Sequence, residues 1–385
     1  DLPVEVSIWD PQGAVNRLTF SVWRAVDEPP EGEWLPAAPA DVDCATDPGA
    51  LDRNRQSRQI PHWEPKNLDR FRDEVSGRPA RACYPAQVMK AVSSLRSSTQ
   101  IRDIFWPILG RLKHVDEFFA REFEQAEPMV RDVCTYVLGS GGKRLRPALV
   151  LLISRMLSYK GERDVRYGAV IEMIHTATLI HDDIIDGSDL RRGRPTANSR
   201  WGNQTTVLVG DWLYSRAMDL CLELGDVDVM RQLVTATLRM TEGEILADQE
   251  RGRLAIDDAA YMDITRRKTA EIFAAACAIP ALFQPSTLHL TEPLAEFGRD
   301  LGICFQLVDD LHDFTAAEEK LAKPVMADLR EGKATLPIIL LLPRLDGRQT
   351  EKLQSVASTG KFEEISVQEV LELVRTSGTL EETQR

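Results

Sequence analysis

The chain has 385 residues, 43% of them apolar and 28% charged, which is enough to bury a sizeable core in one large domain or two and excludes wholesale disorder. Its 47 basic and 60 acidic residues give a net charge of −13, which argues against a general nucleic-acid-binding protein and against docking on an anionic membrane through bulk charge. The strongly apolar runs, such as 336–342, are far shorter than the roughly 20 residues of a membrane-spanning helix.

We therefore expect a soluble chain without a transmembrane segment. Because no signal peptide opens the sequence, we expect a cytoplasmic location. The six cysteines form no C-x-x-C pair, and four of them lie in apolar helical patterns, so we interpret them as reduced core thiols. They are Cys44, Cys83, Cys134, Cys221, Cys277 and Cys304.

Residues 1–99 differ in composition from the rest of the chain. They hold 11 of its 21 prolines and four of its seven tryptophans, and proline at this density prevents long helices. We predict an irregular N-terminal extension over 1–99, which has room for short strands and whose role the sequence leaves open. A separate domain then covers 100–385.

From residue 101 onward, apolar residues recur every three or four positions, which is the period of an α-helix, and strand alternation is nearly absent. Such patterns cover 108–123, 147–157, 165–186, 205–224, 229–250, 260–279, 294–314 and 335–342. They predict an all-α domain of antiparallel helices joined by short turns. Several of these helices are apolar almost all round, which is typical of buried helices.

Two acidic triads with the same spacing each end a largely apolar helical run. They are Asp182, Asp183 and Asp186, and Asp309, Asp310 and Asp313. Residues four apart share a helix face, and carboxylates at a helix C-terminus lie where the helix dipole is already negative, so a cation is needed there. Oxygen-only ligands of this kind favour Mg²⁺ shared with substrate phosphates.

The triads have two other interpretations, a solvated acidic helix end and a di-iron site. A single D-D-x-x-D is often a solvated acidic helix end, but two copies after apolar runs make that interpretation weak. The spacing of Glu172 and His175 is that of a di-iron bundle, which needs a second such pair. The nearest candidate, Asp309 with His312, has Asp in place of Glu.

Two basic clusters complement the triads. One lies at a turn that leads into a helix and the other follows the first triad, and both suit diphosphate oxygens, although either alone is typical of a surface salt-bridge patch. The clusters are Lys143, Arg144 and Arg146, and Arg191, Arg192 and Arg194. The first is not a P-loop, because Arg144 follows the lysine and no strand precedes it.

Residues 100–380 resemble the trans-isoprenyl diphosphate (polyprenyl) synthase family. The motifs that carry the resemblance are Gly-Gly-Lys-Arg-Leu-Arg-Pro at 141–147, His175, the two triads, Arg191-Arg192-Gly193, Lys268-Thr269, Phe305-Gln306, and 328–333 followed by Thr335-Leu336-Pro337. The resemblance implies an isoprenoid-synthase bundle around a central cavity. It also implies Mg²⁺-dependent condensation of isopentenyl diphosphate with an allylic diphosphate, and a homodimer.

The resemblance also implies residue roles. Three Mg²⁺ ions would be held in the substrate complex by Asp182 and Asp186 on one wall and by Asp309 on the other, supported by Asp310 and Asp313, and Asp183 completes the catalytic set. The cations that would neutralise the leaving diphosphate are Arg191, Lys268 and Lys333. The residues that would bind isopentenyl diphosphate are Lys143, Arg146, His175 and Arg192, with Thr269 and Gln306 lining the site. Lys323 would also bind substrate.

The chain departs from the family pattern in one loop and at its end. The usual Gly-Lys-Pro-x-Gly-x-Asp loop has Ala322 before Lys323 and Met326 at the second glycine, and a methionine would reshape the loop if the backbone there needs positive φ. The chain also ends at Arg385, before the last helices of the family, so we expect the C-terminal helices to be truncated.

Product length is expected to depend on the residues below the first triad. Thr178 and Ala177 lie four and five positions before Asp182, where short-chain relatives carry large aromatic residues, and Ile174 continues the apolar stripe. We therefore infer an open tunnel and a long-chain product, such as a quinone side-chain precursor. The alternatives are a shorter-chain synthase, a terpene cyclase, which would carry a different second metal motif, and a non-catalytic partner subunit, which would typically lose metal aspartates.

Overall fold

The computed structural model describes residues 2–9, 15–22, 104–139, 142, 144–315 and 325–385, the first two ranges by their backbone alone. Strand β1 (Leu2–Trp9) pairs with β2 (Val15–Val22) as an antiparallel hairpin in which Leu2 lies opposite Val22. The N-terminal extension thus contains short strands. Lys143 and Lys323, two residues with predicted roles, lie outside the described residues.

From residue 104 onward, the described part of the chain is helical apart from the two-residue strands β3 (Leu190–Arg191) and β4 (Arg194–Pro195), which confirms the predicted all-α domain. The helices are α1 (Leu109–Glu124), α2 (Pro128–Leu138), α3 (Leu145–Met156), α4 (Arg163–Ile185), α5 (Ala197–Trp201), α6 (Asn203–Leu224), α7 (Val227–Gln249), α8 (Asp258–Thr265), α9 (Glu271–Ala278), α10 (Thr291–Thr315), α11 (Ala327–Arg330), α12 (Leu336–Leu341), α13 (Gly347–Thr359), α14 (Val367–Ser377) and α15 (Thr379–Thr383). Short 3-10 turns cover Trp106–Ile108, Ile279–Phe283, Pro285–Leu290 and Leu342–Arg344.

Helix α4 is the centre of the bundle. Every residue from 167 to 174 is buried, which is more than two turns, so the helix is covered on all sides. Its neighbours are α1, α3 and α6. Helix α4 lies inside the bundle because its side chains are apolar around the whole circumference. Its last turn carries the first acidic triad.

Helices α9 and α10 approach each other closely through two glycines of α10. A Cβ atom at Gly298 would lie 2.5 Å from the Phe273 carbonyl oxygen, and one at Gly302 would lie 2.6 Å from the Cα atom of Ala270. Both positions therefore need a residue without a side chain. This contact fixes α10, and with it the second triad, against the segment that carries Lys268.

A second hydrophobic core surrounds the end of α10. It includes Leu311 and Phe314 of α10, Met326 beside α11, and residues of α12, α13 and α14. The C-terminal helices thus pack directly beneath the second triad. None of the helices in the described part of the chain has both the length and the apolar character needed to cross a bilayer.

We expect Gly302→Ala to lower the free energy of unfolding by about 1–3 kcal/mol, because the added methyl group overpacks the contact with Ala270. The control is Gly110→Ala, at an exposed position of α1 where nothing lies within 4 Å of an added Cβ atom, and it should leave stability unchanged or slightly raised. Urea unfolding of the two variants measures the difference. Equal stabilities would show that the α9–α10 contact can relax.

Candidate active site

The first acidic triad lies at the C-terminal end of α4, as predicted. The helix ends at Ile185, and the backbone N–H of Asp186 donates to the Asp182 carbonyl in the last turn. Asp183 is buried and accepts from Nε of Arg191 at 2.7 Å. The structure therefore brings the second basic cluster directly onto the triad.

Asp186 is held by two cations from distant parts of the chain. Nζ of Lys333 lies 3.0 Å from one carboxylate oxygen, and Nη2 of Arg251 lies 2.9 Å from the other. Burial would raise the pKa of Asp186, but these two cations outweigh it and hold the pKa below its ordinary value. The sequence analysis does not include Arg251. This residue lies after α7 outside any motif, and its partner Asp186 is 65 positions away in the sequence.

The second triad lies in the last turns of α10. Asp309 is exposed, whereas Asp310 is buried and accepts from Nε2 of Gln306 at 2.8 Å and from the Tyr261 hydroxyl. Burial raises the pKa of Asp310, and the negative charge of Asp328 adds to this effect. No sequence pattern indicates Tyr261, which lies on a different helix.

Asp313 has a different environment. Its carboxylate accepts from the backbone N–H groups of Ala327 at 3.1 Å and of Asp328 at 3.2 Å, at the start of α11. Asp313 therefore holds the turn that precedes the Lys333 loop. Its metal-binding role stays a prediction. The observed hydrogen bonds give Asp313 a structural role, which is to hold the turn at the start of α11.

Two chains of contacts start at the second triad, of which the first reaches Asp186 and the second ends at Thr269, the neighbour of Lys268. In the first, Asp313 binds the backbone of Asp328, whose carbonyl accepts from the N–H of Lys333 at 2.8 Å, and Lys333 in turn binds Asp186. In the second, the Thr269 hydroxyl donates to Oε1 of Gln306 at 2.9 Å, and Gln306 donates to Asp310. The residue before Thr269 is Lys268, which lies near the first triad.

Lys268 and Thr269 lie in a π-helical turn, Arg266–Ala270, that interrupts the single helix predicted over 260–279. A Cβ atom at Gly243 of α7 would lie 2.6 Å from the Lys268 nitrogen, so α7 contacts the backbone of this turn directly. Such turns are frequent at functional sites, because the extra residue redirects side chains. Lys268 pairs with Glu244 of α7, another residue that the sequence did not indicate.

Asp182 lies within the electrostatic field of this turn. Desolvation raises the pKa of Asp182 to about 6, the positive charge of Lys268 opposes the rise, and Glu244 and Asp186 add to it. Burial is thus the main cause of the raised pKa, and the neighbouring carboxylates are a smaller one. The oxygen-only donor set of the triads therefore fits a hard divalent cation such as Mg²⁺.

The first basic cluster forms a second charged region. The Arg146 guanidinium stacks 4.7 Å from the Phe273 ring centre, its Nε is buried without a hydrogen-bond partner, and desolvation lowers its pKa to about 10. Desolvation and the nearby charges of Arg146, Arg191 and Arg192 lower the pKa of His175 well below its ordinary value. Several cations thus converge on a neutral histidine, which suits an anionic ligand.

The contacts of this region oppose the di-iron interpretation. Glu172 binds Nη1 of Arg144 at 3.3 Å, and His175 lies among arginines rather than carboxylates. Among the residues that the structure describes, no three His, Cys, Asp or Glu side chains are grouped as a ready metal site. In the triads, Asp183 and Asp186 are instead bound to cations of the chain.

The residues predicted to control product length lie in the buried part of α4. Ile174 and Ala177 are buried in the main core, and Thr178 is half-buried with its hydroxyl donating to the His175 carbonyl at 2.8 Å. They are thus one to two turns below Asp182, on the apolar side of the triad. Their role in product length stays a prediction.

Comparisons with known proteins show the family of the chain. The polyprenyl synthetase family model matches residues 127–374. An all-trans-nonaprenyl-diphosphate synthase (geranyl-diphosphate specific) of Rhodobacter capsulatus is 36% identical over 284 residues, which are 73% of this chain and 86% of the relative. An octaprenyl diphosphate synthase of Escherichia coli is 37% identical over 257 residues, 67% of this chain and 79% of the relative.

A solved structure has the same fold. The crystal structure of a decaprenyl diphosphate synthase from Rhodobacter capsulatus superposes with a TM-score of 0.68 at 35% identity, covering 73% of this chain and 87% of that one. The helical fold is thus that of the polyprenyl synthases. The chain belongs to the polyprenyl synthetase family and is a prenyltransferase, which confirms the predicted family, fold class and enzyme class.

Proposed function

We propose that this protein is a Mg²⁺-dependent trans-prenyltransferase that condenses isopentenyl diphosphate with an allylic diphosphate to make a long-chain polyprenyl diphosphate. The observation that carries the proposal is the chain of contacts that joins the two triads, from Asp313 through the backbone of Asp328 to Lys333 and Asp186. A site of carboxylates bordered by cations suits an allylic diphosphate bound with metal. The separate arginine cluster suits a second diphosphate.

In this proposal, Asp182, Asp186 and Asp309 would hold three Mg²⁺ ions together with the substrate. The ions would supply positive charge against the charge that develops on the departing diphosphate. Lys268 and Lys333, now paired with carboxylates, would contact the diphosphate oxygens.

The remaining steps involve the second substrate. Arg146, Arg192 and His175 would hold the diphosphate of isopentenyl diphosphate, together with Lys143. The allylic carbon–oxygen bond breaks, the alkene of isopentenyl diphosphate forms the new carbon–carbon bond, and a proton passes to the released diphosphate. The product is an allylic diphosphate five carbons longer, so the cycle can repeat.

A direct assay tests the proposal. The protein is incubated with farnesyl diphosphate, labelled isopentenyl diphosphate and Mg²⁺, and the products are sized after removal of the diphosphate. A ladder that ends well beyond twenty carbons supports the proposal. A ladder that stops at twenty carbons would identify a shorter-chain synthase, a cyclic hydrocarbon would identify a cyclase, and the absence of any product longer than the starter would favour a partner subunit.

We expect Asp182→Asn to lower the condensation rate by more than the roughly 10–100-fold that is typical when an outer-shell partner of a metal is lost, because it removes a charge from the metal site. The control is Asp211→Asn, at an exposed carboxylate of α6 that lies 3.7 Å from His181 outside the triads. Its rate should stay near that of the wild type. A normal rate for Asp182→Asn would mean that the metal binds elsewhere.

We expect Ala177→Phe to shorten the product and to spare the first condensations, because a ring at this buried position of α4 would block the growing chain below the triad. The control is Ile174→Leu, which conserves side-chain volume and should leave product length unchanged. Product sizing under the assay above distinguishes the two. An unchanged length in Ala177→Phe would contradict the tunnel assignment.

We also propose a homodimer. Helix α7 carries a stripe of exposed apolar side chains, Val227, Val234, Leu238 and Ile245, which are 42–70% exposed and spaced by seven and four residues. Isolated exposed apolar residues are ordinary, but a stripe at the helical period marks an interface. A second copy of the chain would cover it.

We expect Leu238→Glu to convert the dimer into a monomer, because it places a charge in the middle of the stripe. Leu288→Glu is the matched control, since Leu288 is 48% exposed and lies outside α7. Sedimentation velocity measures the mass of each variant. A wild type that is monomeric at micromolar concentration would refute the dimer.

The free thiols support the proposed cytoplasmic location. Cys134, Cys221 and Cys277 are buried and Cys304 is half-buried, all four as free thiols. Burial raises the pKa of the Cys134 and Cys221 thiols to about 12, so these groups stay protonated and unreactive. Unpaired thiols are typical of proteins from reducing compartments.

A further inference from the structure

The two cations that hold Asp186 lie on two loops that are joined to each other. Arg251 is on the loop after α7, and Lys333 is on the loop after α11. The N–H of Gly252 donates to the carbonyl oxygen of Gly332 at 2.8 Å, so the hydrogen bond between the loops lies one residue from each cation. Any displacement of one loop therefore moves both cations relative to Asp186.

Gln354 of α13 binds the first of these loops at two points. Its Nε2 donates to the Gly252 carbonyl at 2.6 Å, and its Oε1 accepts from the Leu254 N–H at 3.2 Å. A side-chain amide offers one acceptor and a donor group, and here it uses both on backbone groups two residues apart. Gly252 is thus fixed from both sides, through its N–H by Gly332 and through its carbonyl by Gln354.

The second loop contacts the same helix through its backbone. Gly332 has a φ of +76°, and a Cβ atom there would lie 2.8 Å from the Ala357 carbonyl of α13 and 2.8 Å from the Gly252 nitrogen. Leu254, at the end of the first loop, is buried in the second core together with Leu353 of α13. One face of α13 therefore holds both cation-bearing loops.

We propose that Gln354 is a positioning residue of the proposed prenyltransferase, acting through Gly252 and Gly332 to keep Arg251 and Lys333 on Asp186. Its action is indirect, since it binds the backbone of the loop and not the carboxylates. The kinetic part of this inference rests on the proposed function, whereas the structural part does not. The amide is half-buried, so replacement by a side chain of similar length is tolerable for the fold.

The test variant is Gln354→Met, which keeps the length of the side chain and removes both hydrogen bonds. We expect backbone amide exchange over 252–254 to become about fivefold faster, the factor that corresponds to the net loss of one hydrogen bond. We expect kcat/KM for the allylic diphosphate to fall by at least about the same factor, with a higher Mg²⁺ concentration at half-maximal rate. The KM for isopentenyl diphosphate should not change, because the arginine cluster is separate.

Two controls lie on the same helix. Gln349→Ala removes one of the two hydrogen bonds of the capping box at the start of α13, the one that the Asp346 N–H donates to Oε1 of Gln349, so it weakens the helix without touching the loops. Ser358→Ala removes the hydroxyl that Nε2 of Gln354 contacts at 3.0 Å within the helix. Both should leave the exchange at 252–254 and the kinetics for the allylic diphosphate near wild-type values.

Unchanged exchange at 252–254 in Gln354→Met would overturn the inference. So would a Gln349→Ala variant that reproduces the kinetic loss, because that loss would then follow from helix stability alone. A wild-type protein that forms no prenyl product would overturn the proposed function instead. In that case the exchange measurements still decide whether Gln354 holds the loops.

Discussion

The constraint on which this structure depends is that carboxylates inside the bundle must be neutralised. Asp183 and Asp186 lie at the C-terminal end of a buried helix, where the helix dipole already disfavours negative charge. The chain supplies cations from three separate segments, Arg191, Arg251 and Lys333. Two of these cations lie on the loops after α7 and α11. The C-terminal core packs beneath these loops and holds them in place.

The same constraint divides the site into two regions of opposite character. Around the first triad, carboxylates are buried together, and burial with the nearby charges of Glu244 and Asp186 raises the pKa of Asp182. Around His175, positive charge is in excess and the imidazole is held neutral. In the proposed function, a metal-bound diphosphate would bind at the carboxylates and a metal-free diphosphate at the arginines.

The sequence predicts the helices, which depend on local patterns, but it does not predict the contacts between distant segments. Helix α4 was predicted at 165–186 and is observed at Arg163–Ile185, because its apolar residues leave no alternative. The π-helical turn at Arg266–Ala270 was not predicted, since its environment includes the close approach of Gly243 from another helix. Helix α13 was not predicted, because it buries only three residues, too few to form a recognisable apolar stripe. The contacts of Arg251 and Tyr261 join distant segments and carry no sequence pattern.

Met326 shows how a departure from the family pattern is accommodated. Its φ of +59° confirms that this position needs the left-handed conformation, since the N–H groups of 326, 327 and 328 all converge on Asp313. A side chain in that conformation costs about 1–2 kcal/mol. The methionine is fully buried in the second core, and burial of such a side chain contributes roughly 1.5–3 kcal/mol, enough to offset that cost. Apolar packing beneath the triad thus preserves a turn that glycine would otherwise provide, and with it the connection from Asp313 to Lys333.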